Sequence, residues 1–203
     1  MNVQMESHLF WGKNAPLSSL SGAALLIVAS GRIVFALICS LTLVWVYVFT
    51  LAAVKLGGEY FPQWGRNAVL LFVSSLAAGI FLILLWIFNP VLAIESSFFV
   101  FLVPVAFIAS GLHNRVLDYD MGEVLSQALA EALILGTLVL GLSLIREPLG
   151  FGSISFPGLD IVRFIENEPL RFFQASSGAL ILLGYGIAVY RRFRNEITNS
   201  EDD

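Results

Sequence analysis

The 203-residue chain is 58% hydrophobic and only 13% charged, with a mean hydropathy of +0.85. Too little charged surface remains to coat a soluble globule of this size, so the chain reads as an integral membrane protein. Its net charge of −4, with no basic cluster interleaved with aromatics, offers no surface for nucleic acid.

Residues 1–16 are polar apart from Leu9, Phe10 and Trp11, and Trp11 near Lys13 reads as an interfacial anchor. These residues do not form a cleavable signal peptide, so the first apolar segment is expected to stay. Six apolar segments follow. The first, 17–30, has about fourteen residues, and at about 1.5 Å per residue it falls short of a hydrocarbon core about 30 Å thick. Segments 33–54, 68–88 and 124–144 are each long enough to cross. The fourth, 91–112, is also long enough, but Pro104 in its interior is expected to kink or break it. The sixth, 172–190, carries Gly178, Gly184 and Gly186, small residues that permit close helix approach.

Gly57, Gly58 and Pro62 separate the second and third segments, and Asn89-Pro90 predicts a tight turn between the third and fourth. Asp120-Met121-Gly122-Glu123 has the form of a capping box opening the fifth helix. The connection 146–171, with Gly150, Gly152, Pro157, Gly158 and Pro169, is expected to be partly ordered at the membrane surface, and 191–203 is a polar tail. Six crossings put both termini on one side. That side holds Lys13, Lys55, Arg66, Arg115, Arg191, Arg192 and Arg194, against Arg32, Arg146, Arg163 and Arg171 on the other, which predicts cytoplasmic termini.

One local pattern occurs twice. Ala29-Ser30-Gly31 ends the first apolar run, and Ala109-Ser110-Gly111 ends the fourth. Short or interrupted apolar segments at matching places in two halves are the pattern of half-helices meeting near the bilayer midplane. Three helices per half invert the topology of the second half. The expected fold is therefore an all-α integral membrane protein forming one domain, with six transmembrane helices as two inverted three-helix repeats, 17–88 and 91–190. Its first and fourth helices are short or broken, and Ala24, Ser30, Gly31, Pro104, Ser110 and Gly111 are the candidate breaks.

Ionisable residues inside apolar segments are candidates for function, because charge in hydrocarbon must be paired or wetted. Glu131 lies about two turns into the fifth segment, and Glu123, Gln127 and Glu131 share one helical face. That stripe suits an ion or proton path; the structural alternative is a cap, an interfacial amide and a carboxylate satisfied by a neighbouring helix. Arg146-Glu147 reads as the close of the fifth helix, where a basic residue complements the helix dipole, with a gate as the functional alternative. Arg32 and Glu95 are expected to reach the interface. The two histidines, His8 and His113, have no partner ligands nearby in sequence, and the single cysteine, Cys39, reads as a small buried apolar residue. Gly150-Phe151-Gly152-Ser153 follows a membrane helix and lacks the third glycine of a dinucleotide fingerprint; P-loop, nucleophile-elbow and metalloprotease motifs are absent. No metal site is expected from this chain alone.

Trp11-Gly-Lys-Asn14-Ala-Pro-Leu17, Gly22-Ala-Ala-Leu-Leu26, Val103-Pro104, Gly178-Ala-Leu and, most specifically, Leu144-Ile-Arg146-Glu147-Pro-Leu-Gly150-Phe-Gly152-Ser-Ile give the chain a resemblance to the Rnf/Nqr membrane subunits, especially the RnfE/NqrD branch. The resemblance runs over nearly the whole chain in segment order and length. It implies a non-catalytic, six-helix inner-membrane subunit of an ion-translocating electron-transport complex, paired with a homologous subunit and working with Na+ or H+. It also implies an intramembrane iron-sulfur centre held by cysteines from both subunits. The family cysteine positions fall here on Ala24 and Ser110, neither of which replaces a thiolate. Either the chain has lost that centre or the match is displaced. The expected role is accordingly a subunit that does not itself ligate the cluster, with Glu131, Gln127, Glu123, Arg146 and Glu147 as coupling candidates. A stand-alone inverted-repeat transporter using the two breaks, or a purely structural membrane subunit, are the alternatives.

Overall fold

The computed structural model describes residues 22, 24–57, 66–111, 120–151, 153–156, 159–163, 171–175, 177–186, 188 and 192. The Trp11/Lys13 anchor, both histidines, Arg115, the turn at Gly58 and Pro62, and the polar tail beyond 192 lie outside them.

Among the described residues, four helices are long and apolar enough to cross a membrane: α1 (Ile33–Gly57), α2 (Arg66–Phe88), α3 (Pro90–Ser110) and α4 (Met121–Phe151). The chain is a helical, multi-pass membrane protein. A fifth, shorter apolar helix, α5, covers Ser177–Gly186. The first apolar segment is helical at 24–26 and tightens into a 3-10 turn at Ile27–Gly31. Arg32 is extended, with φ −136° and ψ 146°, so the chain breaks there before α1 begins. The first and sixth segments of the expected six crossings are thus short as described.

Two boundaries differ from the sequence reading. Pro104 neither breaks nor ends its helix: it is buried inside a continuous α3, a tolerance common in membrane helices, where neighbours re-satisfy the freed backbone carbonyl. α3 stops at Gly111 instead, where φ of +65° suits glycine and its N–H bonds to Ile108 O at 3.1 Å. The fifth segment does not end near 144. α4 runs on through Arg146, Glu147 and Pro148 to Phe151, because the two charges find partners in a neighbouring segment and Pro148 removes only one amide donor. Beyond it, β1 (Ser153–Phe156) and β2 (Leu159–Arg163) pair antiparallel in a small hairpin, an addition to the all-α expectation.

The Asn89-Pro90 turn has the predicted form: Asn89 Oδ1 accepts from Leu92 N at 3.1 Å, and Pro90 occupies the first turn, where no donor is needed. At the start of α4, Val124 N bonds to Asp120 O at 2.9 Å.

The core forms where α1 meets α3 and α4. Phe35 contacts Phe99 and Tyr47 lies edge-on to Phe107 with centroids 4.9 Å apart, so α1 and α3 run the same way. Contacts of Ile33 with Glu147 and Ser40 with Gly136 make α1 and α4 antiparallel. Gly136 lets the two backbones approach: Ser40 Oγ donates to Gly136 O at 3.2 Å and to its own Ala36 O at 2.7 Å. Trp45 Nε1 reaches Ala77 O at 3.1 Å and ties α1 to α2. Outward residues such as Phe72, Ile83, Phe98 and Phe101 are exposed and apolar, as a lipid-facing surface requires.

Candidate functional site

The chemistry concentrates at the break between the first segment and α1. A broken helix leaves carbonyls bare on one side of the gap and amides bare on the other, and in hydrocarbon both need partners. One turn of α4 supplies them. Arg146, 2% exposed, donates from Nη1 to Ser30 Oγ at 3.1 Å and, at a longer 3.4 Å, to Ile27 O. Glu147, 1% exposed, accepts from Ile33 N through Oε2 at 2.7 Å. The cation thus meets the carbonyl end of one helical piece and the anion meets the amide end of the next, each on the side the helix dipole favours.

A second segment completes the site. Arg146 Nε donates to Phe173 O at 2.6 Å, in the 3-10 turn Arg171–Gln174. That turn can fold back against α5 because residue 178 is glycine: a Cβ there would stand 2.5 Å from Phe172 O. Arg32, exposed in the gap, holds its guanidinium 5.5 Å from the Phe151 ring centroid, one turn beyond Glu147. Ser30 Oγ also donates to Ile27 O at 2.6 Å, which fixes the hydroxyl's lone pairs toward Arg146.

The remaining candidates separate into groups. Ser30 and Gly31 join Arg146 and Glu147. Ser110, fully buried, closes α3 as Ser30 closes the first segment, its Oγ donating three residues back to Phe107 O at 2.8 Å. Gly22 packs against this end: a Cβ on it would be 3.5 Å from Ser110 Cβ and 3.0 Å from Ala106 O. Ala24 is exposed, so of the first segment it is Gly22 that meets Ser110. On the other stripe, Glu123 is exposed in the first turn of α4, Gln127 is half-buried and Glu131 is buried at 2% exposure. Glu95 is exposed on α3, and Cys39 is a free, fully buried thiol. Two further hydroxyls, Thr50 Oγ1 on α1 and Ser143 Oγ on α4, are buried without a hydrogen-bond partner. Among the described residues no three His, Cys, Asp or Glu side chains come together as a metal site.

Sequence reasoning found Ser30, Arg146 and Glu147 but could not join them. Their partners at Ile27, Ile33 and Phe173 are backbone groups, which leave no side-chain signature. The one sequence sign was an arginine, Arg32, set between two apolar runs, which was read as reaching the interface.

The fold and this joint define a multi-pass membrane protein with a charged clamp on an interrupted first helix. No family model matches the chain. Over 71 residues it is 32% identical to an uncharacterized protein of Treponema pallidum (strain Nichols), a match covering 33% of this chain and 36% of the relative. The chain therefore spans about a third of the length of that relative.

Proposed function

We propose that this chain is a non-catalytic subunit of an Rnf/Nqr-type ion-translocating assembly in a bacterial-type inner membrane, one that borders an Na+ or H+ path and does not itself ligate an iron-sulfur centre. In this reading it is built as two inverted three-segment repeats with both termini cytoplasmic, and it pairs with a homologous membrane subunit. The observation that carries the proposal is the Arg146–Glu147 clamp: the residues most specific to the resemblance are also the ones buried at the first break. The inverted arrangement is supported by the antiparallel contact of α1 with α4, the second segments of the two halves, and by the matching serine bonds at Ser30 and Ser110. Alanine and serine at the family cysteine positions support a subunit without cluster ligands. Glu131, buried about a third of the way along α4, is the carboxylate assigned to the path.

The test is purification of the tagged chain from its native membrane in mild detergent, with identification of every co-purifying polypeptide. Flavin- or iron-containing partners together with a second small membrane subunit are the expected result. Isolation as a lone chain overturns the proposal.

A further inference from the structure

Three oxygens from two separate segments converge at the first break: Ile27 O and Ser30 Oγ from the short first segment, and Phe173 O from the turn before α5. Backbone carbonyls and a hydroxyl at an interrupted membrane helix are the ligands a mobile cation uses. Here Arg146 meets all three, at 2.6, 3.1 and 3.4 Å, and Gly31 lies against the guanidinium, since a Cβ on it would be 3.9 Å from Nη1. These separations and the spread of the three oxygens over two guanidinium nitrogens suit flat N–H donors. Glu147, next in sequence, brings a buried anion to the same joint.

We infer that the first break is a cation-binding seat which the chain fills with its own guanidinium, so that Arg146 acts as a tethered ligand and the emptied seat accepts a free guanidinium ion. This goes beyond the proposed function and stands without it. Any ion moving through the chain then passes elsewhere, because the oxygens of this break are already engaged.

Cys39 provides the reporter. It is the chain's sole cysteine, fully buried on α1 six residues past the clamped Ile33, so a loosened start of α1 should raise its accessibility. The experiment measures the rate of maleimide labelling of Cys39 in native membranes. Arg146→Ala should label roughly a hundredfold faster than the wild-type chain, the scale of losing more than one charged hydrogen bond. Low-millimolar guanidinium should return the variant's rate to near the wild-type value, whereas urea, of similar shape but uncharged, should not. Failure of guanidinium to slow labelling, or equal slowing by urea, overturns the inference. Should Arg146→Ala not accumulate in the membrane, Ser30→Ala removes one oxygen of the seat. Its labelling should rise about tenfold, the low end for one hydrogen bond to a charged group; a wild-type rate overturns the inference equally.

Discussion

Glu147 and Ile33 lie 114 residues apart in sequence, yet the glutamate's Oε2 accepts the first amide of α1 at 2.7 Å. With Arg146 on the opposite side of the gap, this bond makes two adjacent side chains the joint's shared support. Its removal tests the clamp directly. Glu147→Gln removes the charge but keeps an acceptor for Ile33 N and should cost about 1–2 kcal/mol, while Glu147→Leu also leaves that buried amide without its acceptor and should cost roughly 3–5 kcal/mol. Reversible unfolding in mixed micelles measures both, and equal costs would remove the bond to Ile33 N from the explanation.

Gly136 tests how closely α1 and α4 must approach. A Cβ on it would sit 3.1 Å from Ser40 Cβ, so Gly136→Ala should destabilise by about 1–2 kcal/mol through overpacking. Ser40→Gly removes the opposing atom, and the double variant should recover much of that loss in a double-mutant cycle. Additive losses would show that the cost of Gly136→Ala does not come from its contact with Ser40.

Three glycines near the C-terminal helix should behave differently. Gly178→Ala sets a methyl 2.5 Å from Phe172 O, which is backbone and cannot swing aside, so the turn carrying Phe173 must shift away from Arg146. Gly184 and Gly186 face open space. Gly178→Ala should lower the thermal midpoint by several degrees, as for a loss of about 1–3 kcal/mol, and either control should leave it nearly unchanged.

The approach of Gly22 to Ser110 predicts a cross-link. In a Cys39→Ser background, Gly22→Cys with Ser110→Cys should oxidise readily, because the Cβ separation of 3.5 Å falls within the disulfide range of about 3.5–4.5 Å. Ala24→Cys with Ser110→Cys should not, since Ala24 is exposed. Gel mobility with and without reductant distinguishes the pairs, and the reverse outcome would move the first segment's register by two residues.

Glu131→Gln tests the assigned path. It preserves shape and removes the titrating charge, and it should reduce Na+- or H+-driven flux in vesicles holding the intact assembly by tenfold or more, in the range of about 10²–10⁴ for lost proton-transfer groups. Unchanged flux would leave Glu131 a packing residue.

Legibility from sequence followed the range of the interactions. Composition fixed the membrane class, and the Asn89-Pro90 cap and the Gly111 stop were readable because their partners lie within a few residues. Arg146, Glu147 and Pro148 were read as a helix end because charge and proline are local stop signals, and nothing nearby reveals that Ser30 and Ile33 will satisfy the charges. Pro104 was misjudged for the same reason: whether a proline breaks a membrane helix depends on packing around it. The hairpin after α4 lay in a stretch whose glycines and prolines signalled only turns.

The clamp also carries a consequence for biogenesis. The first segment leaves the ribosome long before α4 exists, and at about 5–20 residues per second the 114 residues separating Ile33 from Glu147 take roughly 6–23 s to make. During that interval the carbonyls and amide at the first break lack the partners that Arg146 and Glu147 give them in the folded chain, so a ribosome stalled after α3 would hold this joint unclamped.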